Sequence, residues 1–187
     1  MSRSLRLQMP LAGKGDGRSE ENSAKNSGRK PAEGEAAPQP VAVLNPCCMV
    51  CGQQNPHGLQ LTFFAEANGV VAEWVPGETW ESFPGTIHGG AISTVLDEAM
   101  SKAIIALGME AYTAELRVRF KEKIRTGEAV RVRAWVVLTR KRRITAEARL
   151  CSSARQERAH AWGTFLISSR ASAGSAPGWN PLGRSRV

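Results

Sequence analysis

One carboxylate and two adjacent glycines have the residue types and the spacing of a site for acyl chemistry. Asp97 follows Gly89 and Gly90 by about two helical turns, in a segment whose apolar residues recur at helical spacing. The N–H groups at the start of a helix form a partly positive end, which can hold a polarised carbonyl or an oxyanion. A carboxylate at the edge of a buried face is partly desolvated, which raises its pKa and its reactivity. These groups are therefore the parts of an acyl-transfer site.

The same residues also have a purely structural interpretation. Asp97 would then be a solvated residue of the helix, and the two glycines would serve only as a tight turn. Spacing alone leaves both interpretations open.

A long helix is predicted to position Asp97. Pro84-Gly85 has the chemistry of a turn, and Gly108 stands where a helix commonly ends. Between them, apolar residues at intervals of three and four form one helical stripe. The stripe comprises Ile92, Val95, Leu96, Ala99, Met100, Ala103, Ile104 and Leu107. Because the stripe is wide and strongly apolar, a broad apolar surface must cover it.

Glu98 is a second acidic residue on this helix. It lies one helical step, about 100°, from Asp97 and is spaced i,i+4 from Lys102. This spacing is typical of a surface ion pair, so the pattern assigns Glu98 a structural role.

Alternating apolar residues predict strands on both sides of the helix. Segments 59–63 and 70–75 form a predicted hairpin before it. Four further strands follow as a meander, at about 116–120, 130–138, 144–150 and 159–167. One antiparallel sheet with one apolar face is a natural cover for a single long helix. The predicted fold class is therefore α+β.

The folded domain is predicted over residues 45–169 of the 187-residue chain, which is 42% hydrophobic. Residues 1–44 and 170–187 are predicted to be disordered tails, because they contain few large apolar residues that could offset the entropy of ordering. No apolar run is long enough to span a bilayer, and the N-terminus lacks the apolar segment of a secretory signal. We therefore expect a cytoplasmic protein.

Cys48 and Cys51 have the C-x-x-C spacing of redox and zinc sites. A zinc site needs two more good ligands, and the sequence has no second pair of this kind. Cys47 and His57 could be recruited, but reduced, partly buried thiols are the simpler interpretation. We therefore expect no metal.

Three motifs together resemble hotdog-fold acyl-CoA thioesterases, in particular the phenylacetyl-CoA-type branch that includes the thioesterase superfamily member proteins. The motifs are Pro84-Gly85-x-x-His88-Gly89-Gly90 with Leu96-Asp97 after it, Thr113-x-Glu115-Leu116-x-Val118-x-Phe120, and Cys51-Gly52-x-x-Asn55-Pro56-x-Gly58-Leu59. The resemblance covers about residues 47–168. It implies an antiparallel sheet of five to six strands wrapped around one long central helix.

The resemblance also implies roles for single residues. Asp97 matches the catalytic carboxylate, as general base or as nucleophile. Gly89 matches the residue whose N–H polarises the thioester oxygen, with Gly90 beside it. His88 matches a histidine that positions the loop or the substrate, or that is only structural. Thr113 matches a hydroxyl that orients the water or the carboxylate.

The implied site lies at a dimer interface, where Asp97 and Thr113 of one subunit face Gly89 and His88 of another. A homodimer or a homotetramer is therefore expected. Some relatives carry an amide side chain six residues before the histidine, whereas this chain has Ser82 there. The hydroxyl of Ser82 remains a candidate donor to the substrate.

The chain carries a formal net charge of +8. Its basic residues alternate along strands and do not interleave with stacking aromatics, which argues against nucleic-acid binding. Arg117, Arg119 and Lys121 are candidates for contacts with the phosphates of coenzyme A, and so are residues 140–143. A solvated sheet edge that resists edge-to-edge pairing explains them equally well.

The resemblance implies hydrolysis of an acyl-CoA to a carboxylic acid and coenzyme A, without a metal or organic cofactor. The alternative is a non-catalytic acyl-CoA-binding or assembly module on the same fold. The acyl group is not specified by the sequence. Candidates for the lining of its tunnel are Trp80, Phe83, Met100 and Trp135.

Overall fold

The computed structural model describes residues 38–170. The predictions for residues 1–37 and 171–187 lie outside the described residues. Residues 39–41, which fall within the predicted N-terminal tail, pair with the end of segment 59–63 and the strand after it. The Val41 N–H donates to the Phe63 carbonyl at 2.8 Å, and the Ala65 N–H donates to the Gln39 carbonyl at 3.0 Å.

Within the described range, the chain forms one α-helix, α1 (Gly89–Ile105), and a six-stranded antiparallel sheet. The strands are β1 (Phe64–Glu66), β2 (Gly69–Trp74), β3 (Glu81–Phe83), β4 (Thr86–Ile87), β5 (Met109–Phe120), β6 (Val130–Arg140), β7 (Arg143–Ser152) and β8 (Glu157–Arg170). The order in the sheet is β1-β2-β6-β7-β8-β5, and β3 with β4 forms a separate hairpin. A short 3₁₀ helix (Glu78–Trp80) precedes β3.

Helix α1 lies against the apolar face of the sheet and forms the centre of the core. All residues of the predicted stripe are buried except Leu107, which lies beyond the helix and is half-buried. The close approach of helix and sheet depends on Gly163 of β8. A Cβ at this position would lie 2.5 Å from the Phe165 ring and 3.1 Å from the Met100 methyl carbon. The predicted fold, one antiparallel sheet wrapped around one long helix, is confirmed.

The structure departs from the predicted elements in three segments. Residues 59–63 keep the predicted alternation of burial but are not part of the sheet, because Leu59 and Leu61 donate to the carbonyls of Met49 and Val50. The predicted loop 76–87 contains the β3–β4 hairpin. Strand β5 begins at Met109, directly after Gly108, whose φ of +71° ends the helix as predicted.

Strand β5 forms one edge of the sheet. It pairs along its length with β8, and no described residue pairs with its other side. Its side chains alternate, and those away from the core are exposed, among them Tyr112, Arg117 and Arg119. Helix α1 and β5 are adjacent in sequence and in space, so the helix and this open edge can share a site. Across the described residues, no helix has the length and apolar character needed to cross a membrane.

Candidate active site

Asp97 is held by one hydrogen bond between the helix and the edge strand. The Thr113 hydroxyl on β5 donates to the Asp97 carboxylate at 2.9 Å. Asp97 is half-buried and Thr113 is exposed, so the carboxylate lies where the covered face of α1 meets open solvent. A register shift between Thr113 and Glu115 interrupts the pairing of β5 with β8 at this point. Such irregularities commonly redirect a side chain next to a site.

The surroundings of Asp97 favour a reactive carboxylate. Burial raises the pKa of Asp97 above its usual value, and the neighbouring charge of Glu98 acts in the same direction. The hydrogen bond from Thr113 lowers the pKa and so partly offsets these effects. A carboxylate with a raised pKa accepts a proton from water more readily than a fully solvated one.

His88 caps the start of helix α1. Its Nδ1 accepts the Gly90 N–H at 2.8 Å, and its own backbone N–H donates to the Trp80 carbonyl at 2.7 Å. A neutral ring that accepts at Nδ1 carries its proton at Nε2. The Gly90 N–H is therefore used by the cap, and the Gly89 N–H is the first donor at the open end of the helix.

Gly89 lies beside the edge strand. A Cβ at this position would be 3.4 Å from the Phe120 ring, which lies at the end of β5. Glycine therefore keeps the space at the helix start next to the Phe120 ring free of a side chain.

The structure brings together two pairs of predicted site residues, but it does not join the pairs within one chain. Asp97 contacts Thr113, and His88 contacts Gly90. Gly89 and Asp97 are eight positions apart on α1, which at 1.5 Å per residue is about 12 Å. One thioester carbonyl cannot reach both groups of the same helix.

Ser82 lies in the β3–β4 hairpin and is exposed. Its hydroxyl donates to the Thr86 carbonyl at 3.5 Å, a long hydrogen bond within the hairpin. The hairpin leads directly into His88, so Ser82 is near the helix start in sequence, and its hydroxyl is held only weakly.

Of the three predicted phosphate contacts, Arg117 and Arg119 lie on β5 and Lys121 directly follows it, and all three are exposed. Lys121 forms an ion pair with Glu157 at 2.8 Å, and Arg117 lies 3.9 Å from Glu115. Arg119 is opposite His160 of β8. Arg117 and Arg119 therefore share one face of the edge strand, and Lys121 is engaged by an acidic partner.

A cavity of about 330 Å³ lies beside the helix start. Its lining includes Met49, Leu59, Thr79, Trp80, Glu81, His88, Gly90, Ala91 and Thr94. Of the four predicted tunnel residues only Trp80 is among them. Gly90 was predicted as a site residue, whereas Ala91 and Thr94 were not, because they lie away from the apolar stripe.

The other three predicted tunnel residues lie elsewhere. Met100 is fully buried in the core, and Phe83 is 74% exposed on the hairpin. Trp135 is on β6, where the Arg149 guanidinium lies 5.5 Å from its ring centre.

Comparison with known proteins gives the same assignment as the motifs. Residues 84–159 match the family model of the thioesterase superfamily. A human protein described as acyl-coenzyme A thioesterase THEM5 is 37% identical over 54 residues, which cover 29% of this chain and 22% of the relative. The chain therefore matches less than a quarter of the length of that relative.

Solved structures share the fold. Zebrafish thioesterase superfamily member 2 is 22% identical with a TM-score of 0.54, and the match covers 57% of this chain and 80% of that one. A hypothetical thioesterase from Streptococcus pneumoniae, solved with coenzyme A, is 15% identical with a TM-score of 0.54 and covers 56% and 85%. Residues 84–159 of this chain therefore match the thioesterase-superfamily model, and the described chain shares the hotdog fold of these solved structures.

Proposed function

We propose that this protein hydrolyses acyl-CoA thioesters to a carboxylic acid and coenzyme A. The observation that carries the proposal is the half-buried Asp97, held by the Thr113 hydroxyl at 2.9 Å within a thioesterase-superfamily domain. The description of the human relative and the coenzyme A in the S. pneumoniae structure support the choice of substrate.

In the proposed reaction, the Asp97 carboxylate takes a proton from a water molecule as the water oxygen adds to the thioester carbon. The resulting oxyanion accepts a hydrogen bond from the Gly89 N–H at the positive end of α1. Collapse of the tetrahedral intermediate breaks the carbon–sulfur bond, and coenzyme A leaves. Direct attack of Asp97 on the thioester carbon, followed by hydrolysis of an anhydride, gives the same products.

A complete site requires two copies of the chain. The separation of about 12 Å between Gly89 and Asp97 along one helix means that each carboxylate needs the helix start of another copy. The long β5 edge, with no pairing partner on its outer side among the described residues, is suited to pair with the same strand of a second copy. We infer a homodimer, alone or within a homotetramer, in which Asp97 and Thr113 face Gly89 and His88 of the other copy.

The first test is release of coenzyme A thiol from short, medium, long and aryl acyl-CoAs, with Asp97→Asn beside the wild type. We expect wild-type turnover on at least one class and a loss of about 100-fold or more in the variant, because the group that drives the chemical step is removed. Equal rates for the two proteins would show that Asp97 is structural. Binding of acyl-CoA without thiol release by the wild type would favour the non-catalytic binding module.

The carboxylate's role as base or nucleophile is open to a direct experiment. A single turnover in ¹⁸O-water labels the released acid if water attacks the thioester. If the carboxylate attacks and water then opens the anhydride at the Asp97 carbonyl, the label enters Asp97, so label in Asp97 identifies the nucleophile. The cytoplasmic location stays a prediction.

A further inference from the structure

Three side chains with metal-binding atoms converge on the side of α1 next to Asp97, and the proposed reaction uses none of them. One sulfur atom each of Cys48 and Cys51 and one carboxylate oxygen of Glu98 lie within 4.8 Å of one another. Cys51 is buried, and the other two residues are half-buried. The two cysteines come from the turn that precedes the sheet, and Glu98 comes from the helix.

The cysteine turn is built to present sulfur inward. The Val50 N–H donates to the Cys48 sulfur at 3.4 Å, and the Gly52 N–H donates to the Cys48 carbonyl at 3.1 Å. A Cβ at Gly52 would lie 2.4 Å from the Cys48 nitrogen and 2.5 Å from the Pro46 carbonyl oxygen, so only glycine fits. An N–H group directed at sulfur stabilises a thiolate and fixes its orientation, as outer-shell groups do at metal sites.

A buried cation completes the surroundings. Lys102 is only 1% exposed, its ammonium group donates to the Ala42 carbonyl at 2.6 Å, and it lies 3.8 Å from the Glu98 carboxylate. Two thiolates and the carboxylate carry three negative charges. A divalent ion together with the Lys102 ammonium carries three positive charges, so the occupied site is neutral, as burial requires.

We propose that Cys48, Cys51 and Glu98 bind one Zn²⁺ ion. Zinc takes thiolate and carboxylate ligands in tetrahedral geometry, and C-x-x-C is among its usual ligand spacings. Calcium and magnesium prefer oxygen ligands throughout, which this donor set does not supply. The fourth position belongs to a water molecule on the half-exposed Cys48 side. Binding releases the two thiol protons to solvent.

Glu98 supplies the ligand that the sequence did not identify. The spacing predicted a surface pair of Glu98 with Lys102. In the structure Lys102 is buried with its ammonium group on the Ala42 carbonyl, and Glu98 lies beside the cysteines. Cys47 and His57, the ligands considered from the sequence, are exposed and outside the cluster. The ion would fasten the cysteine turn to α1, one residue from Asp97.

The test is the zinc content of the full chain, purified under reducing conditions without a metal-affinity step. We expect about one zinc per chain in the wild type, and Co²⁺ in its place should give a thiolate-to-metal charge-transfer band. Cys48→Ser, Cys51→Ser and Glu98→Gln should each weaken zinc affinity by at least about 100-fold, more than the loss of an outer-shell group. Cys47→Ser, the matched control in the same turn, should keep the wild-type zinc content.

Metal binding by the wild type tests the proposal even if a cysteine variant fails to fold. Absence of zinc, together with no charge-transfer band when Co²⁺ is added to the reduced wild type, would overturn the proposal. A second result would also overturn the proposal: a disulfide between Cys48 and Cys51 in the purified protein, with no metal affinity once that disulfide is reduced. This result would identify the two cysteines as a redox pair. Loss of zinc in Cys47→Ser would overturn the ligand set.

Discussion

Thr113 contacts Asp97 through one hydrogen bond to a charged group, which makes it a positioning residue for the carboxylate. Thr113→Val removes the hydroxyl and keeps the shape. A hydrogen bond to a charged group is worth about 1.5–3 kcal/mol, and about 1.4 kcal/mol corresponds to a factor of ten. We expect kcat/KM for thiol release to fall by about tenfold to a hundredfold.

Thr139→Val is the matched control for this prediction, because Thr139 is exposed on β6 and makes no contact with Asp97. Its kinetics should equal those of the wild type. A Thr113→Val enzyme with unchanged kcat/KM would show that the carboxylate needs no support from the edge strand.

His88 combines two separable features, a cap on α1 and an imidazole at the cavity wall. His88→Ala removes the cap and should lower the free energy of unfolding by about 0.5–2 kcal/mol. His88→Asn restores a good capping side chain without the imidazole, so its stability in urea should approach that of the wild type. If both variants lose thiol release equally, the imidazole acts on the substrate. Full activity in His88→Asn would restrict the histidine to capping.

At the residue scale, the motif predicted Asp97, Thr113 and the helix start as site residues, and the structure adds the hydrogen bond between Thr113 and Asp97. The i,i+4 spacing of Glu98 and Lys102 correctly indicated an ion pair. The spacing wrongly placed this pair on the surface. Lys102 is buried, and its ammonium group donates to the carbonyl of Ala42, sixty residues away in sequence. Local periodicity carries no information on such distant contacts.

At the element scale, the close packing of α1 against β8 depends on Gly163. Gly163→Ala would place a Cβ 2.5 Å from the ring of Phe165, which is fully buried and cannot move aside cheaply. Overpacking of this kind costs about 1–3 kcal/mol. In urea unfolding, we expect the midpoint to fall and the m value, the slope of the free energy of unfolding against urea concentration, to stay unchanged.

Gly77→Ala serves as the control, since a Cβ there meets nothing within 4 Å and its φ of −88° suits alanine. It should leave the midpoint unchanged or raise it slightly. A Gly163→Ala protein as stable as the wild type would mean that helix and sheet tolerate a larger separation than the structure shows.

The helix and the long strands could be predicted because their periodicity extends over many residues. Segment 59–63 shows where periodicity stops being sufficient. Its alternation of buried and exposed side chains was predicted correctly, but its backbone pairs with the cysteine turn and not with the sheet. Alternation indicates which face is buried and does not identify the hydrogen-bonding partner.

At the scale of the whole molecule, the sheet order depends on non-local pairing. The chain places β2 beside β6 and sends β5 to the far edge beside β8, so the four strands after the helix are not a simple meander. This arrangement leaves β5, with Thr113, at an open edge. The sequence could not predict that edge from strand patterns, and only the family resemblance implied a site shared between subunits.

A shared site makes a prediction about mixtures of inactive chains. Asp97→Asn lacks the carboxylate, and Gly89→Val blocks the helix start, where a Cβ alone would lie 3.4 Å from the Phe120 ring. If each site takes Asp97 from one copy and Gly89 from the other, a dimer of the two variants contains one fully wild-type site. Random exchange of subunits makes about half of the dimers mixed, so thiol release should recover to about a quarter of the wild-type rate.

The control takes each variant alone through the same subunit-exchange procedure. Each should stay inactive, which would show that the procedure itself does not restore thiol release. A site contained within one chain would give no recovery in the mixture, because every chain would still carry one defect. Since Gly89 and Asp97 are about 12 Å apart along α1, they cannot act on one thioester within a single chain. We therefore expect the mixture of the two variants to recover activity. Activity in the mixture would therefore establish both the dimer and the assignment of its two half-sites.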